Sequence, residues 1–320
     1  MGRRTLAYAL AAAGLAAFTA PSAFAQDKTE VAWGGSNPGG VMYYMVGVAG
    51  TELAKDLPDV NITQVTTGGS TENAKRLIKG ELDMGIVYGS HVYMAQKPEG
   101  PFADGEKGDM LRGVAMAYEG PTYFVTLAGS GIESIGDLAG KKVALGPPGS
   151  GTVFNCSNIL TALGLLDQIQ PQMMTFADAG RALGNGQIDA FCQSSSPAAA
   201  VTELAETQDI LVVPYSEEEL ASVSDTYPFY HTGTMPETTY NGVPATDMPY
   251  TTVYWVAHER VPKDVVQRMV EAAYKRQDAL ASGHKAWAQM KPDVENFEKL
   301  GVPMHAGAQA YYDTHQDASK

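Results

Sequence analysis

The sequence predicts an α/β protein of two lobes, each a mainly parallel sheet flanked by helices, facing one another across a ligand cleft. Three observations predict it. The strand and helix patterns run β-α-β-α-β twice along the chain. Leu77-x-x-Gly80-x-Leu82-Asp83-Met84 returns 106 residues later as Leu183-x-x-Gly186-x-Ile188-Asp189-Ala190. In both copies a helix stops at a glycine and a strand follows after the aspartate. Each half also carries a polar glycine turn that opens a helix, Thr67-Gly68-Gly69-Ser70 in the first and Gly146 to Thr152 in the second.

In chain order, residues 1–25 read as an export signal. Arg3 and Arg4 precede an alanine-rich apolar stretch from Leu6 to Ala20, and Ala23-Phe24-Ala25 is a small-x-small cleavage site before Gln26. The apolar run is too short for a membrane span, so the expected location is the periplasm. Glu30 to Gly34 is the first strand. Val41 to Leu57 is a helix with Met45, Val48, Ala49 and Leu53 on its buried face, and Pro58 ends it. Val60 to Thr66 is a strand. Ser70 or Thr71 caps the next helix, which runs to Gly80, and Asp83 to Tyr88 is the third strand. Two strands, Arg112 to Tyr118 and Thr122 to Leu127, flank Gly120-Pro121.

The pattern then restarts. Lys142 to Leu145 is a strand and residues 152–163 a helix. Gln172 to Phe176 is a strand, Asp178 to Gly184 a short helix, and Ile188 to Cys192 a strand. Ile210 to Pro214 is a further strand. From Tyr215 to Pro249 four prolines oppose long regular structure. Tyr250 to Ala257 is a strand, and Pro262 to Leu280 an amphipathic helix with Gly283 beyond its end. Short helices near 284–290 and 307–315 close the chain. No linker is long, so the chain is expected to cross between lobes near 118–122 and 213–218. That assigns 26–117 and 218–320 to the first lobe and 118–217 to the second.

A glycine turn between a strand and a helix N-terminus presents unpaired N–H groups and the positive end of the helix dipole, a natural place for an anion. Leu145 to Thr152 fits that description. Gly146, Gly151 and Thr152 have the spacing of a nucleotide-binding loop, but the lysine between Gly151 and Thr152 is absent, which argues against a nucleoside triphosphate. A plain structural corner is the alternative from this stretch alone.

The formal charge is −14, and −16 once residues 1–25 and their two arginines are removed. Such a chain repels nucleic acid and anionic membranes, and an anionic ligand has to be held by local donors. Catalytic constellations are scarce. Neither His-Glu-x-x-His nor Gly-x-Ser-x-Gly occurs, and Ser282-x-x-Lys285 stands in a polar turn without companion motifs. The six histidines fall at no ligand spacing, although His91 and His231 are candidates to face the cleft. No enzyme activity, catalytic residue, metal site or cofactor is therefore expected. Capture of a small anion such as a carboxylate by converging helix N-termini, with hinge closure over it, fits the pattern better than chemistry does.

Thr67 to Asn73, Gly80 to Asp83, Tyr118 to Pro121, Gly131-Ile132 with Asp137 to Val143, Gly146 to Thr152, Gly186 to Ala190 and Tyr240-Asn241-Gly242 occur in this order. On these motifs, over essentially the whole mature chain, the sequence resembles the TAXI family, the extracytoplasmic solute receptors of TRAP transporters. The resemblance implies a type II periplasmic binding protein, monomeric and not inserted in the membrane, that delivers an organic acid or amino acid of the glutamate or 2-oxoglutarate type to an ion-gradient-driven TRAP permease. By position it also implies a ligand site. That site comprises Gly35, Ser36 and Tyr43 in the first turn, Ser70 and Asn73 in the second, and Tyr88 and Ser90 after the third strand. In the second lobe it comprises Ser150, Gly151 and Thr152, with Gln193 and Ser194 after Cys192.

Cys156 lies in the first turns of the second-lobe helix and Cys192 ends a strand expected beside that helix's own strand. A disulfide within the lobe and a pair of buried thiols are both consistent with this. Two functional alternatives remain open: a periplasmic ligand sensor docking on a signalling protein, and the binding protein of an ATP-driven importer.

Overall fold

The computed structural model of the chain describes residues 28–315, residues 106 and 228 apart. The export signal read at residues 1–25 lies outside the described residues. Among the described residues, no helix is long and apolar enough to cross a membrane.

The first half builds β1 (Thr29–Gly34), α1 (Val41–Leu53), β2 (Val60–Val65), α2 (Ser70–Ile78), β3 (Met84–Tyr88), α3 (Gly89–Gln96) and β4 (Leu111–Pro121). The second builds β5 (Tyr123–Leu127), β6 (Lys142–Gly146), α4 (Gly151–Ala162), β7 (Gln170–Met173), α5 (Phe176–Gly184), β8 (Ala190–Gln193), α6 (Ala199–Ala205), β9 (Ile210–Val212) and α7 (Glu217–Thr226). The hairpin of β10 (His231–Met235) and β11 (Thr246–His258) follows. Then come α8 (Lys263–Lys275), α9 (Gln277–Gly283), α10 (Val294–Lys299) and α11 (Ala306–Thr314).

Two sheets result, with the same strand arrangement at their centres. In the first, β2, β1 and β3 are parallel neighbours, and β11 joins β3 antiparallel. In the second, β7, β6 and β8 are parallel neighbours, and β5 joins β8 antiparallel. The duplication holds residue by residue: α2 begins at 70 and α5 at 176, and β3 begins at 84 and β8 at 190, the same offset each time.

One hydrogen-bond scheme ends both helices. Gly80 and Gly186 take φ of 69° and 66°, open to glycine at little steric cost. Glu81 N–H donates to Arg76 O and Gln187 N–H to Ala182 O, each at 2.8 Å. The aspartate that follows latches the central strand. Asp83 Oδ2 accepts Ala32 N–H at 2.8 Å, and Asp189 Oδ2 accepts Lys142 N–H at 2.7 Å.

Each sheet buries its own apolar core. The first contains all three tryptophans, with Trp33 stacked on Trp255 at 4.6 Å and Trp287 edge-on to both. The second core surrounds β5 to β9 and continues through Tyr215, Leu220, Val223, Tyr230, Met235, Tyr240 and Met248. The return to the first lobe, expected near 213–218, is therefore made by β11. That strand runs antiparallel to β4 from Leu111↔His258 to Pro121↔Tyr250, so the two crossing strands are hydrogen-bonded to each other.

Other expectations need correction. Residues 215–249 contain α7, whose start is fixed by Ser216 and Glu219 in a reciprocal cap. The helix expected over 262–280 divides at Arg276 into α8 and α9. Neither Ser70 nor Thr71 caps α2. The N-cap is Gly69, at a φ of 119°, and the Ser70 hydroxyl instead accepts Tyr88 N–H at 2.9 Å.

Candidate functional site

The turn after β6 behaves as a helix cap. Ser150 Oγ accepts Val153 N–H at 3.1 Å and opens α4. Gly146 and Gly149 take φ of 114° and 77°, so a side chain at either position would be strained. This turn meets the Gly68-Gly69-Ser70 turn of the other lobe directly. Glu72 N–H, in the first turn of α2, donates to Gly149 O at 3.2 Å. A Cβ on Gly151 would stand 2.5 Å from Tyr88 Cδ2 and 2.7 Å from Ser70 Cβ. The Tyr88 hydroxyl donates to Ser194 O. The lobes are closed on one another.

Where they meet, a cavity of about 20 Å³ remains. The first residues of α1, α2 and α4 (Val41 and Met42, Ser70, Gly151 and Thr152) border it, and no charged side chain among the described residues does. With α5, whose first residue Phe176 also borders the cavity, four helix dipoles place their positive ends around one small space. Hydroxyls of Ser36, Ser70, Tyr88, Ser150, Thr152 and Ser195 surround it, and Phe176 supplies an apolar wall. Burial holds the Tyr88 and Tyr118 phenols well above their ordinary pKa, so both stay protonated; the Tyr88 proton goes to Ser194 O, and the Tyr118 hydroxyl has no hydrogen-bond partner among the described residues. At this size the closed cavity admits about one water-sized group.

Of the residues expected in the site, Ser36, Ser70, Tyr88, Ser150, Gly151 and Thr152 come together here. Gly35 lies just before them, where a Cβ would stand 3.0 Å from Met42 O. Gln193 and Ser194 are fully buried behind the cavity. The Gln193 amide oxygen and nitrogen have no hydrogen-bond partner among the described residues. Ser194 offers its carbonyl to Tyr88 and its hydroxyl accepts Thr122 Oγ1–H at 3.2 Å.

Three expected residues point elsewhere. Asn73 spends its amide on the scaffold: Nδ2 donates to Gly35 O at 2.7 Å and Ile86 O at 3.0 Å, and Oδ1 accepts the Thr67 hydroxyl at 2.7 Å. Tyr43 borders an outer groove with Tyr44 and Gln64. Ser90 bonds His91 Nδ1 at 3.2 Å and borders a different cavity. Sequence reasoning missed Ser195, Met42 and Phe176. The repeat carried a signal for Phe176, which stands at the α5 start where Ser70 stands in α2.

His91 does not face this cavity. Its Nε2 pairs with Thr71 Oγ1 at 2.9 Å. Phe154 of α4 reaches across from the other lobe to pack edge-on against it at 4.7 Å. Burial, with a smaller contribution from the Lys75 charge, pushes the His91 pKa down to about 3, so the imidazole is neutral. His231 lies in the same separate cavity as Ser90. In the second lobe Cys156 and Cys192 form a disulfide, tying the second turn of α4 to the end of β8 across a sequence separation of 36.

The chain belongs to the NMT1-like family, which matches residues 35–314. Its fold is similar to that of a protein from Bordetella bronchiseptica RB50, with a TM-score of 0.57, 15% identity, and coverage of 91% of this chain and 99% of that one. It is also similar to a candidate L-cystine ABC transporter from Listeria monocytogenes, with a TM-score of 0.51, 16% identity, and coverage of 81% and 95%. The periplasmic aliphatic sulphonate binding protein SsuA from Escherichia coli aligns at a TM-score of 0.49 and 17% identity over 91% and 84%. The two-lobed α/β architecture expected from the sequence is the one observed, but both sheets are mixed and not mainly parallel, because β11 in one and β5 in the other add antiparallel pairs to the parallel centre.

Proposed function

We propose that this chain is a periplasmic solute-binding receptor that closes its lobes on a small carboxylate, an organic acid or amino acid of the glutamate or 2-oxoglutarate type, and delivers it to a TRAP-type membrane permease. The convergence of the α1, α2, α4 and α5 N-termini on a space bordered by no charged side chain among the described residues carries this reading. A carboxylate there is stabilised by dipoles and neutral donors, which suits a chain whose net charge of −14 opposes anions at long range. Ser36, Ser70, Tyr88, Ser150, Gly151, Thr152 and Ser195 are the proposed ligand-binding residues. Hinge motion along β4 and β11 admits the solute, because the closed cavity is smaller than any dicarboxylate.

The fold likeness to an ABC transporter protein supports a second reading, the binding protein of an ATP-driven importer. Membership of the TRAP class rests on the motifs from Thr67 to Asn73 and Gly146 to Thr152.

The test is titration calorimetry on protein unfolded and refolded to strip carried ligand, against glutamate, 2-oxoglutarate and a panel of mono- and dicarboxylates. Saturable binding of one member supports the proposal. No binding by any of them overturns it. Uptake of the bound solute by vesicles carrying a TRAP permease, driven by a sodium gradient and not by ATP, separates the two readings.

A further inference from the structure

A second cavity, of about 810 Å³, lies on the other side of the crossing strands and shares none of its bordering residues with the cleft cavity. Tyr88 and Tyr118 project from one face of the first sheet into the core that holds the tryptophans. Thr252 and Tyr254, on the opposite face of β11, border this larger space. Tyr93 of α3 closes one side and Phe229 and His231, next to the second core, close the other. Its volume is that of a small-molecule site.

Its chemistry is opposite to that of the cleft. Glu119, on the crossing strand β4, projects into it. Oε1 accepts the Thr252 hydroxyl at 3.0 Å, while Oε2 is buried and has no hydrogen-bond partner among the described residues. His231 Nε2 stands 3.6 Å from Oε2, beyond hydrogen-bond reach but within ion-pair distance. Glu99 adds a second carboxylate at the border. Lys299 also borders the space, but its ammonium is engaged by Glu295 at 2.8 Å. The Tyr93 ring already carries the Lys97 ammonium at 4.1 Å from its centroid. A half-buried, half-satisfied carboxylate beside the rings of Phe229 and Tyr254 is a setting that favours a cation, through charge and through the ring faces.

We propose that this hinge cavity is a second ligand site, selective for a small organic cation whose ammonium group binds Glu119 Oε2. Because its walls come from the outer face of the first sheet, from Phe229 beside the second core and from the strands that join the lobes, the site is complete only at a given angle between the lobes. The inference is independent of what the cleft binds.

The experiment is titration calorimetry of the full chain with n-butylammonium chloride and with tetramethylammonium chloride. Sodium chloride at matched ionic strength is the reference, and sodium butyrate is the charge-reversed probe. The expected result is one saturable site for at least one cation and none for butyrate. Glu119→Gln should weaken cation binding about tenfold or more, the scale of losing a charge-assisted hydrogen bond. Phe229→Ala, which removes a ring bordering the space, should also weaken it. Thermal melts matching the unsubstituted protein establish that both variants fold. No saturable heat with either cation, equal binding of butyrate, or full affinity in Glu119→Gln would each overturn the proposal.

Discussion

The Tyr88 hydroxyl donates to the Ser194 carbonyl oxygen, and the two residues, 106 apart, hold the same place in the two lobes. Each stands five positions after the aspartate that latches its lobe's central strand, Asp83 in one and Asp189 in the other. The repeat units touch one another at equivalent positions, beside the small cavity where the lobes meet. Tyr88→Phe removes this hydrogen bond and leaves the Ser194 carbonyl unpaired. The closed form should lose about 1 kcal/mol, roughly fivefold in the ratio of closed to open protein. Small-angle scattering of the free protein should report a larger radius of gyration, and an unchanged value would count against the contact as a closing one.

Gly151 is a second closing contact. A methyl group there meets Tyr88 Cδ2 at 2.5 Å and Ser70 Cβ at 2.7 Å, one atom from the end of β3 and one from the start of α2 in the other lobe. Gly151→Ala should cost the closed form about 1–3 kcal/mol, the usual scale of overpacking. The radius of gyration should rise while tryptophan fluorescence, which reports only the first core, stays native.

Ser150 and Thr152 separate stability from binding. Ser150 Oγ caps α4 through Val153 N–H, so Ser150→Ala should lower the unfolding free energy of the ligand-free protein by about 1 kcal/mol, and by more with ligand bound. Thr152→Ala removes no cap, and should weaken binding of a buried carboxylate by about 1–3 kcal/mol with little change in stability. Equal ligand affinity in Thr152→Ala and the unsubstituted protein would remove Thr152 from the site.

His91 sets an acid limit on stability. Its ordinary pKa is 6.5, and burial lowers it to about 3 in the folded chain. Above pH 6.5 it is neutral folded or unfolded and contributes nothing to the pH dependence. Below that, the unfolded chain takes up a proton that the folded chain refuses until about pH 3. Unfolding free energy should therefore fall by up to about 1.4 kcal/mol per pH unit between these limits from this group. Urea unfolding at pH 7.5, 6.0 and 5.0 measures the slope. His91→Gln should flatten it, and an unaltered slope would place the titration elsewhere.

The Cys156–Cys192 bridge closes a loop of 36 residues within the second lobe. Chain-entropy arguments put its stabilisation at about 4 kcal/mol. Denatured, unreduced protein should show no reactive thiol. Reduction should lower the denaturant midpoint of the second lobe while tryptophan fluorescence follows the first.

The doubled βα framework was legible because it rests on short-range signals. Apolar runs mark the strands, and Gly80 and Gly186 end helices at matching places. The start of α7 was legible too, in Ser216-x-x-Glu219, but the run Glu217 to Glu219 and the prolines beyond obscured it. Site membership was harder, because it depends on where a side chain is spent. Asn73 has the right chemistry and position, yet three backbone carbonyls and Thr67 consume its amide. Tyr43 was excluded by helical phase. Met42, Met45, Val46 and Ala49 are the buried stripe of α1, and Tyr43 falls outside it. Ser195 adjoins two expected residues, and only the tertiary path of the chain after β8 distinguishes it from them.

β4 and β11 form a continuous antiparallel ribbon from Leu111↔His258 to Pro121↔Tyr250, with register shifts beside Val253 and Trp255. Two separate linkers would let the lobes swing and slide in many directions. A ribbon resists shear between its strands and yields mainly by twisting and bending where its ladder is irregular. Opening then follows close to a single coordinate, and solutes of different size would be accommodated by stopping at different points along one track, with no new set of lobe-to-lobe contacts for each.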